Sequence, residues 1–198
     1  MNIPNRLTIL RIILIPFFML FMLLPDISGA NRVVCDIAAA LIFGAASFTD
    51  YLDGKIARKH NIVTDFGKFL DPIADKLMVF GAFLCFLVSE VYAGYRYIFV
   101  VVVFIVLLRE FAVTSIRLAA QNSGGKVIAA NIYGKIKTVS QIIFILLALL
   151  EKHIFAFSDY FAEYMPLTCI ACAVMLVFTV ISGANYIVSN IKYINPNK

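Results

Sequence analysis

The chain has 198 residues, of which 62% are hydrophobic and 15% charged, with no tryptophan and a formal net charge of +5. Soluble domains carry about half apolar residues, so the composition excludes an ordinary soluble fold. The positive balance fits a surface facing anionic lipid headgroups and requires no nucleic acid partner.

Runs such as "YIFVVVVFIVLL" and "IIFILLALL" lack turn residues and strict alternation, which points to spanning helices rather than a β-barrel. Spans are predicted near 7–25, 33–56, 66–90, 97–119, 132–150 and 164–189, about six at roughly 20 residues each. Breaks fall at "PDISGANR", "KIARKHN", "SEVYAGYR", "QNSGGK" and "EKHIFAFSDYFAEYMP". The expected architecture is an all-α integral membrane bundle of six transmembrane helices, forming one domain over residues 1–198. No internal repeat or low-complexity tract is visible. The first apolar run is interrupted by Arg11 and Pro16 and five more spans follow, so it reads as a retained span opening as a short interfacial helix, not a cleaved signal.

Arg6 and Arg11, the Lys55–Lys59 cluster, Lys126, Lys135, Lys137, Lys192 and Lys198 all fall on one side of such a bundle. The positive-inside rule then places both termini in the cytoplasm of a multi-pass cell-membrane protein. The opposite loops carry Arg32, Arg96 and Lys152 beside Glu90, Glu151, Asp159 and Glu163. Tyr92, Tyr95, Tyr97, Tyr160 and Tyr164 are expected in the outer aromatic belt. Cys169 and Cys172 have C-x-x-C spacing but lie in an apolar run with no second pair, so core packing is the expected role. His60 and His153 are read as solvated loop residues.

The stretch "TDYLDGKIARKHNIVTDFGKFLDPIADK", residues 49–76, gathers charge of both signs between apolar runs. Asp50 and Asp53, three apart at the end of the second span, share a helix face with Gly54 and Ala57. Asp71 and Asp75, four apart, open the third span on the face of Gly67. Antiparallel helices would let the two carboxylate pairs face one polar, cytoplasm-facing groove. Ion pairing with Lys55, Arg58, Lys68 and Lys76 is the structural alternative. Four clustered carboxylates repel unless protons or metals hold them, and oxygen-only ligands favour Mg²⁺ or Mn²⁺. A pair of such ions suits phosphoryl transfer.

The pattern Asp50-x2-Asp53-Gly54-x2-Ala57-Arg58-x8-Gly67-x3-Asp71-x3-Asp75 resembles, at every fixed position, the signature of the CDP-alcohol phosphotransferases. Eight fixed positions at roughly one-in-twenty usage give a chance match of about 10⁻¹⁰ per starting point. The resemblance implies a six-helix membrane enzyme, usually a homodimer, in which the four aspartates bind two divalent metal ions. It also implies that Asp75 deprotonates the acceptor hydroxyl, a role that spacing alone does not separate from Asp71. Gly54, Arg58 and Thr64 are implied in binding the CDP headgroup, and Asn5 and Thr8 are assigned to the nucleotide end.

The stretches "NIPNRLTILRIILIPFF", "LLREFAVTSIRLAA" and "YGKIKTVSQ" resemble the branch of this family that transfers a phosphatidyl group from CDP-diacylglycerol to glycerol 3-phosphate. Arg109 and Arg117 lie eight residues, or about 12 Å, apart on one helix, with Lys135 and Lys137 at the cytoplasmic mouth. Such cations suit a dianionic phosphate, and arginine suits its bidentate recognition. The alternative is that Arg109 merely pairs with Glu110, and the roughly 100° between adjacent helical residues argues against that. Lys135 and Lys137 point about 200° apart, so one ligand is not expected to engage both. Two other functions stand beside this one: another polar acceptor such as inositol phosphate, or a divalent-cation transporter.

Overall fold

The computed structural model describes the backbone of residues 3–60, 65–122 and 132–190, and their side chains other than 3, 4, 51, 53–60, 65, 68, 121 and 122. The elements are α1 (Ile3–Ser28), α2 (Arg32–His60), α3 (Asp65–Val88), a 3₁₀ segment (Glu90–Tyr95), α4 (Arg96–Asn122), α5 (Ile132–Ile154), α6 (Asp159–Tyr164) and α7 (Pro166–Asn190). The six long helices fall on the six predicted segments. Among the described residues five segments, drawn chiefly from α1, α2, α4, α5 and α7, are long and apolar enough to cross a membrane. In α3 the first half carries Asp71, Asp75 and Lys76.

No break sets a short opening helix apart from the rest of the first segment. One 26-residue helix continues through Pro16 and Pro25. A proline removes one backbone donor and crowds the carbonyl four residues back, and in an apolar helix neighbouring groups and local adjustments re-satisfy the freed backbone. The break after α1 is built from local chemistry instead. Gly29 takes φ +71°, a left-handed conformation that suits glycine, and its N–H donates to the Pro25 carbonyl at 3.0 Å. Two residues later Asn31 Oδ1 accepts the Val34 N–H at 3.2 Å, an N-terminal cap for α2.

The described helices group into two units. The first comprises Met1–Arg96 with Ile145–Met165. Here α1 packs against both α2 and α3, with Phe18 and Phe43 in ring contact at 5.6 Å. Gly81 of α3 allows close approach to α1, since a Cβ there would lie 3.3 Å from Met19 Sδ. Its buried side chains include Met22, Ala39, Ala74, Phe83 and Phe86. At its end Met165 takes φ 40°, and its N–H closes α6 on the Phe161 carbonyl.

One end of this unit is a polar cluster that the sequence reading did not anticipate. His153 belongs to the last turn of α5 and is not a solvated loop residue. Its Nε2 lies 2.7 Å from Asp36 Oδ2 of α2. Arg32 bonds Asp26 and reaches the Ser89 hydroxyl at 3.3 Å. Tyr92 is not part of an exposed aromatic belt either: it is buried and donates to the Ala148 carbonyl at 2.7 Å. Tyr97, Tyr160 and Tyr164 are exposed, as expected of a belt. Glu151 is fully buried in α5 rather than lying in a loop.

A buried carboxylate in an apolar helix persists only when paired. Replacing Asp36 by Asn removes the charged acceptor facing His153 and Arg32. The expected loss is about 1–3 kcal/mol of stability, read as a lower thermal midpoint in detergent. An unchanged midpoint would show that the cluster adds nothing to stability.

The second unit comprises Tyr97–Phe144 with Pro166–Lys198, so it is built from α4, the first half of α5, and α7. Phe99 and Phe144 meet edge to face at 6.1 Å, and Val113, Ile116 and Tyr186 form a further apolar cluster. Of the cysteines, Cys35, Cys85 and Cys172 are buried and Cys169 is exposed; all four are free thiols. Burial of Cys172 agrees with the packing role expected of it, whereas exposed Cys169 does not pack in the interior of the described residues.

Candidate active-site residues

In the first unit, α1 supplies polar partners to the aspartate signature. Thr8 and Arg11 are three residues apart and therefore share one face of α1. Thr8 Oγ1 donates to Asp71 Oδ1 of α3 at 2.6 Å. Arg11 Nη1 lies 2.7 Å from Asp50 Oδ1 of α2, with the arginine side chain 0% exposed and the aspartate 39% exposed. A single face of α1 thus engages one aspartate from each half of the signature. In the sequence Arg11 was read as an orientation signal and as an interruption of the first apolar run, and Thr8 as a nucleotide contact. Asn5 is buried.

The other signature residues are described less fully. Asp75 is half-buried on α3, and Gly67 is buried. The side chains of Asp53 and Arg58 on α2, the surroundings of Gly54, and the whole of Thr64 lie outside the described residues. Among the described residues no group of three or more His, Cys, Asp or Glu is close enough to hold a metal ion. The donor chemistry nevertheless fits a hard divalent cation, because the signature offers carboxylate oxygens and no thiolate or imidazole. Both Asp50 and Asp71 also keep partial exposure.

In the second unit, residues from three helices meet around one carboxylate. Arg109 Nη1 donates to Glu110 Oε1 at 2.9 Å, and Lys137 Nζ of α5 donates to that same oxygen. Arg109 Nη2 donates to Ser182 Oγ of α7 at 2.6 Å. All three charged side chains are largely buried, at 13%, 15% and 9% exposure for Arg109, Glu110 and Lys137. The angular expectation that adjacent residues would not pair is corrected here. A long guanidinium side chain and a glutamate cover the 100° between them.

The remaining predicted acceptor residues separate from this group. Arg117 and Lys135 are exposed, while Lys137 is buried, as the angle between the two lysines requires. Sequence reasoning undervalued Glu110, although an acid within an apolar span is itself a functional signal. It missed Ser182 and Gly183 entirely, since small residues in "VISGANY" carry no chemical pattern.

Comparison with known proteins gives a consistent result. The family model described as CDP-alcohol phosphatidyltransferase matches residues 1–188. A protein of Bacillus subtilis (strain 168) named CDP-diacylglycerol–glycerol-3-phosphate 3-phosphatidyltransferase is 40% identical over 195 residues, covering 96% of this chain and 95% of its own. Proteins of the same name from Escherichia coli (strain K12) and Shigella flexneri serotype 5b (strain 8401) are each 39% identical over 143 residues, 72% of this chain and 73% of theirs.

Proposed function

The chain belongs to the CDP-alcohol phosphatidyltransferase family, and from that premise we infer that it transfers the phosphatidyl group of CDP-diacylglycerol to sn-glycerol 3-phosphate. The products are phosphatidylglycerol phosphate and CMP. The observation that carries this reading is 40% identity along nearly the whole of both chains to a relative named for that reaction.

In this reading Asp50, Asp53, Asp71 and Asp75 hold two divalent cations, Mg²⁺ or Mn²⁺. When bound, such ions neutralise charge on the donor pyrophosphate and on the leaving CMP. Gly54, Arg58 and Thr64, with Asn5 and Thr8, bind the donor headgroup. Asp75 accepts the proton of the acceptor hydroxyl as its oxygen bonds to the phosphorus of the phosphatidyl group and the bond to CMP breaks. A hydroxyl has a high pKa, so a carboxylate must lie within hydrogen-bond reach as attack proceeds. A loose transition state demands little deprotonation until late, which lets a weak base suffice. Thr8 and Arg11 support this chemistry by orienting Asp71 and Asp50. Arg109 and Lys137, with Arg117 and Lys135 as further cations, attract the acceptor's phosphate.

The same reading takes the protein as a six-span homodimer with both termini in the cytoplasm and its groove open to that side. The orientation rests on the distribution of lysine and arginine along the sequence, the span count on the six long helices, and the homodimer on what the family resemblance implies.

The test is acceptor choice. Protein in phosphatidylcholine vesicles containing CDP-diacylglycerol and Mg²⁺ should release CMP rapidly with glycerol 3-phosphate. It should do so slowly with glycerol or inositol phosphate. Preference for inositol phosphate would reassign the acceptor.

A further inference from the structure

We propose that Glu110 is a positioning residue for acceptor recognition. Its carboxylate holds Arg109 and Lys137 together as a two-cation seat for a phosphate monoester, and Ser182 and Gly183 fix the arginine from α7. The proposal rests on the functional reading above and adds to it the residues that shape the acceptor site.

The geometry makes this more than a neutralised ion pair. Arg109 and Lys137 come from different helices, α4 and α5, and both donate to one oxygen, Glu110 Oε1. Two buried cations close to one carboxylate repel each other, and the shared acceptor is what holds them in place. Among these three side chains two positive charges face one negative, a balance that suits an anion. The guanidinium is not saturated either. Nη1 is on Glu110 and Nη2 on Ser182, whereas Nε is buried with no hydrogen-bond partner among the described residues. Buried donors are rarely left unpaired, and a phosphate oxygen is a fitting acceptor for this one.

The α7 side of the seat is steric as well as polar. A Cβ on Gly183 would lie 2.9 Å from Arg109 Cγ. That atom is near the root of the arginine side chain, so it cannot swing clear as a flexible tip would. Glycine at 183 therefore gives the arginine stem its room, while the Ser182 hydroxyl next to it fixes the guanidinium plane. A residue that only balanced charge would need neither.

The experiment compares Glu110→Gln, Glu110→Asp and Gly183→Ala with wild type in vesicles, using CMP release with glycerol 3-phosphate and CDP-diacylglycerol varied in turn. Arg109→Gln sets the scale. Losing a charge-assisted contact corresponds to about a tenfold to hundredfold loss in kcat/KM. Glu110→Gln should raise the acceptor KM by about tenfold or more and leave the KM for CDP-diacylglycerol within about twofold. Glu110→Asp should recover part of the loss, because it restores the charge at shorter reach. Gly183→Ala should reproduce the selective rise without altering any charge. An acceptor KM that is unchanged or lower in Glu110→Gln would overturn the proposal, as the carboxylate would then be a spectator or a competitor of the phosphate. Equal losses for both substrates would also overturn it, as the signature of a purely structural role. If Glu110→Gln does not fold, Gly183→Ala decides by the same selective criterion. A wild type that releases no CMP with any phosphorylated acceptor would instead refute the functional reading itself.

Discussion

Asp71→Asn is expected to fold normally and to lose CMP release by about a hundredfold or more, the scale seen when a single charge-stabilising group is removed from an active site. The amide oxygen of asparagine still accepts the Thr8 hydroxyl that Asp71 accepts at 2.6 Å, so the helix contact survives while the negative charge is lost. Asp50→Asn should cost as much activity but should also destabilise the protein. Its carboxylate faces the fully buried Arg11 at 2.7 Å, and an amide does not replace a countercharge; the loss is about 1–3 kcal/mol. Activity and thermal midpoint measured together separate the two cases. Chelator should abolish wild-type activity, and Mg²⁺ or Mn²⁺ should restore it. Near-normal turnover in either variant would remove that aspartate from the reacting centre.

Asp75→Asn is expected to abolish transfer while CDP-diacylglycerol still binds. A general base contributes about 10²–10⁴-fold in rate, whereas for donor binding three further aspartates remain to hold the cations. Equilibrium binding of a labelled donor to the variant, set beside single-turnover CMP release, separates the part Asp75 plays as base from the part it plays as metal ligand. If donor affinity fell as far as turnover, metal and donor binding would explain the whole loss and leave no role for Asp75 as the base.

The helices were legible because apolar runs of about 20 residues have only one stable form in a bilayer. The aspartate pattern was legible because carboxylates are costly at membrane depth and their spacing fixes a helix face. What could not be read were partners distant in sequence. Thr8 and Asp71 are 63 residues apart, and Asp36 and His153 are 117 apart. No local periodicity links either pair. His153 looked like a loop residue because its charged neighbours Glu151 and Lys152 resemble an interface, yet a single acid in "VVCDIAAAL" is what draws it inward. Arg109 and Glu110 show the opposite limit. Ideal helix angles place side-chain roots, but long side chains bend past those angles to reach one another.

The most direct measurement of the proposed reaction follows the label. Purified protein in vesicles receives unlabelled CDP-diacylglycerol, Mg²⁺ and glycerol 3-phosphate labelled at phosphorus. Transfer of the phosphatidyl group predicts that label enters the lipid phase as a phosphomonoester headgroup, one for each CMP released, and that a phosphatase recovers the label as inorganic phosphate. CMP released without label in lipid would show hydrolysis of the donor, and neither product under these conditions would contradict the assigned transfer outright.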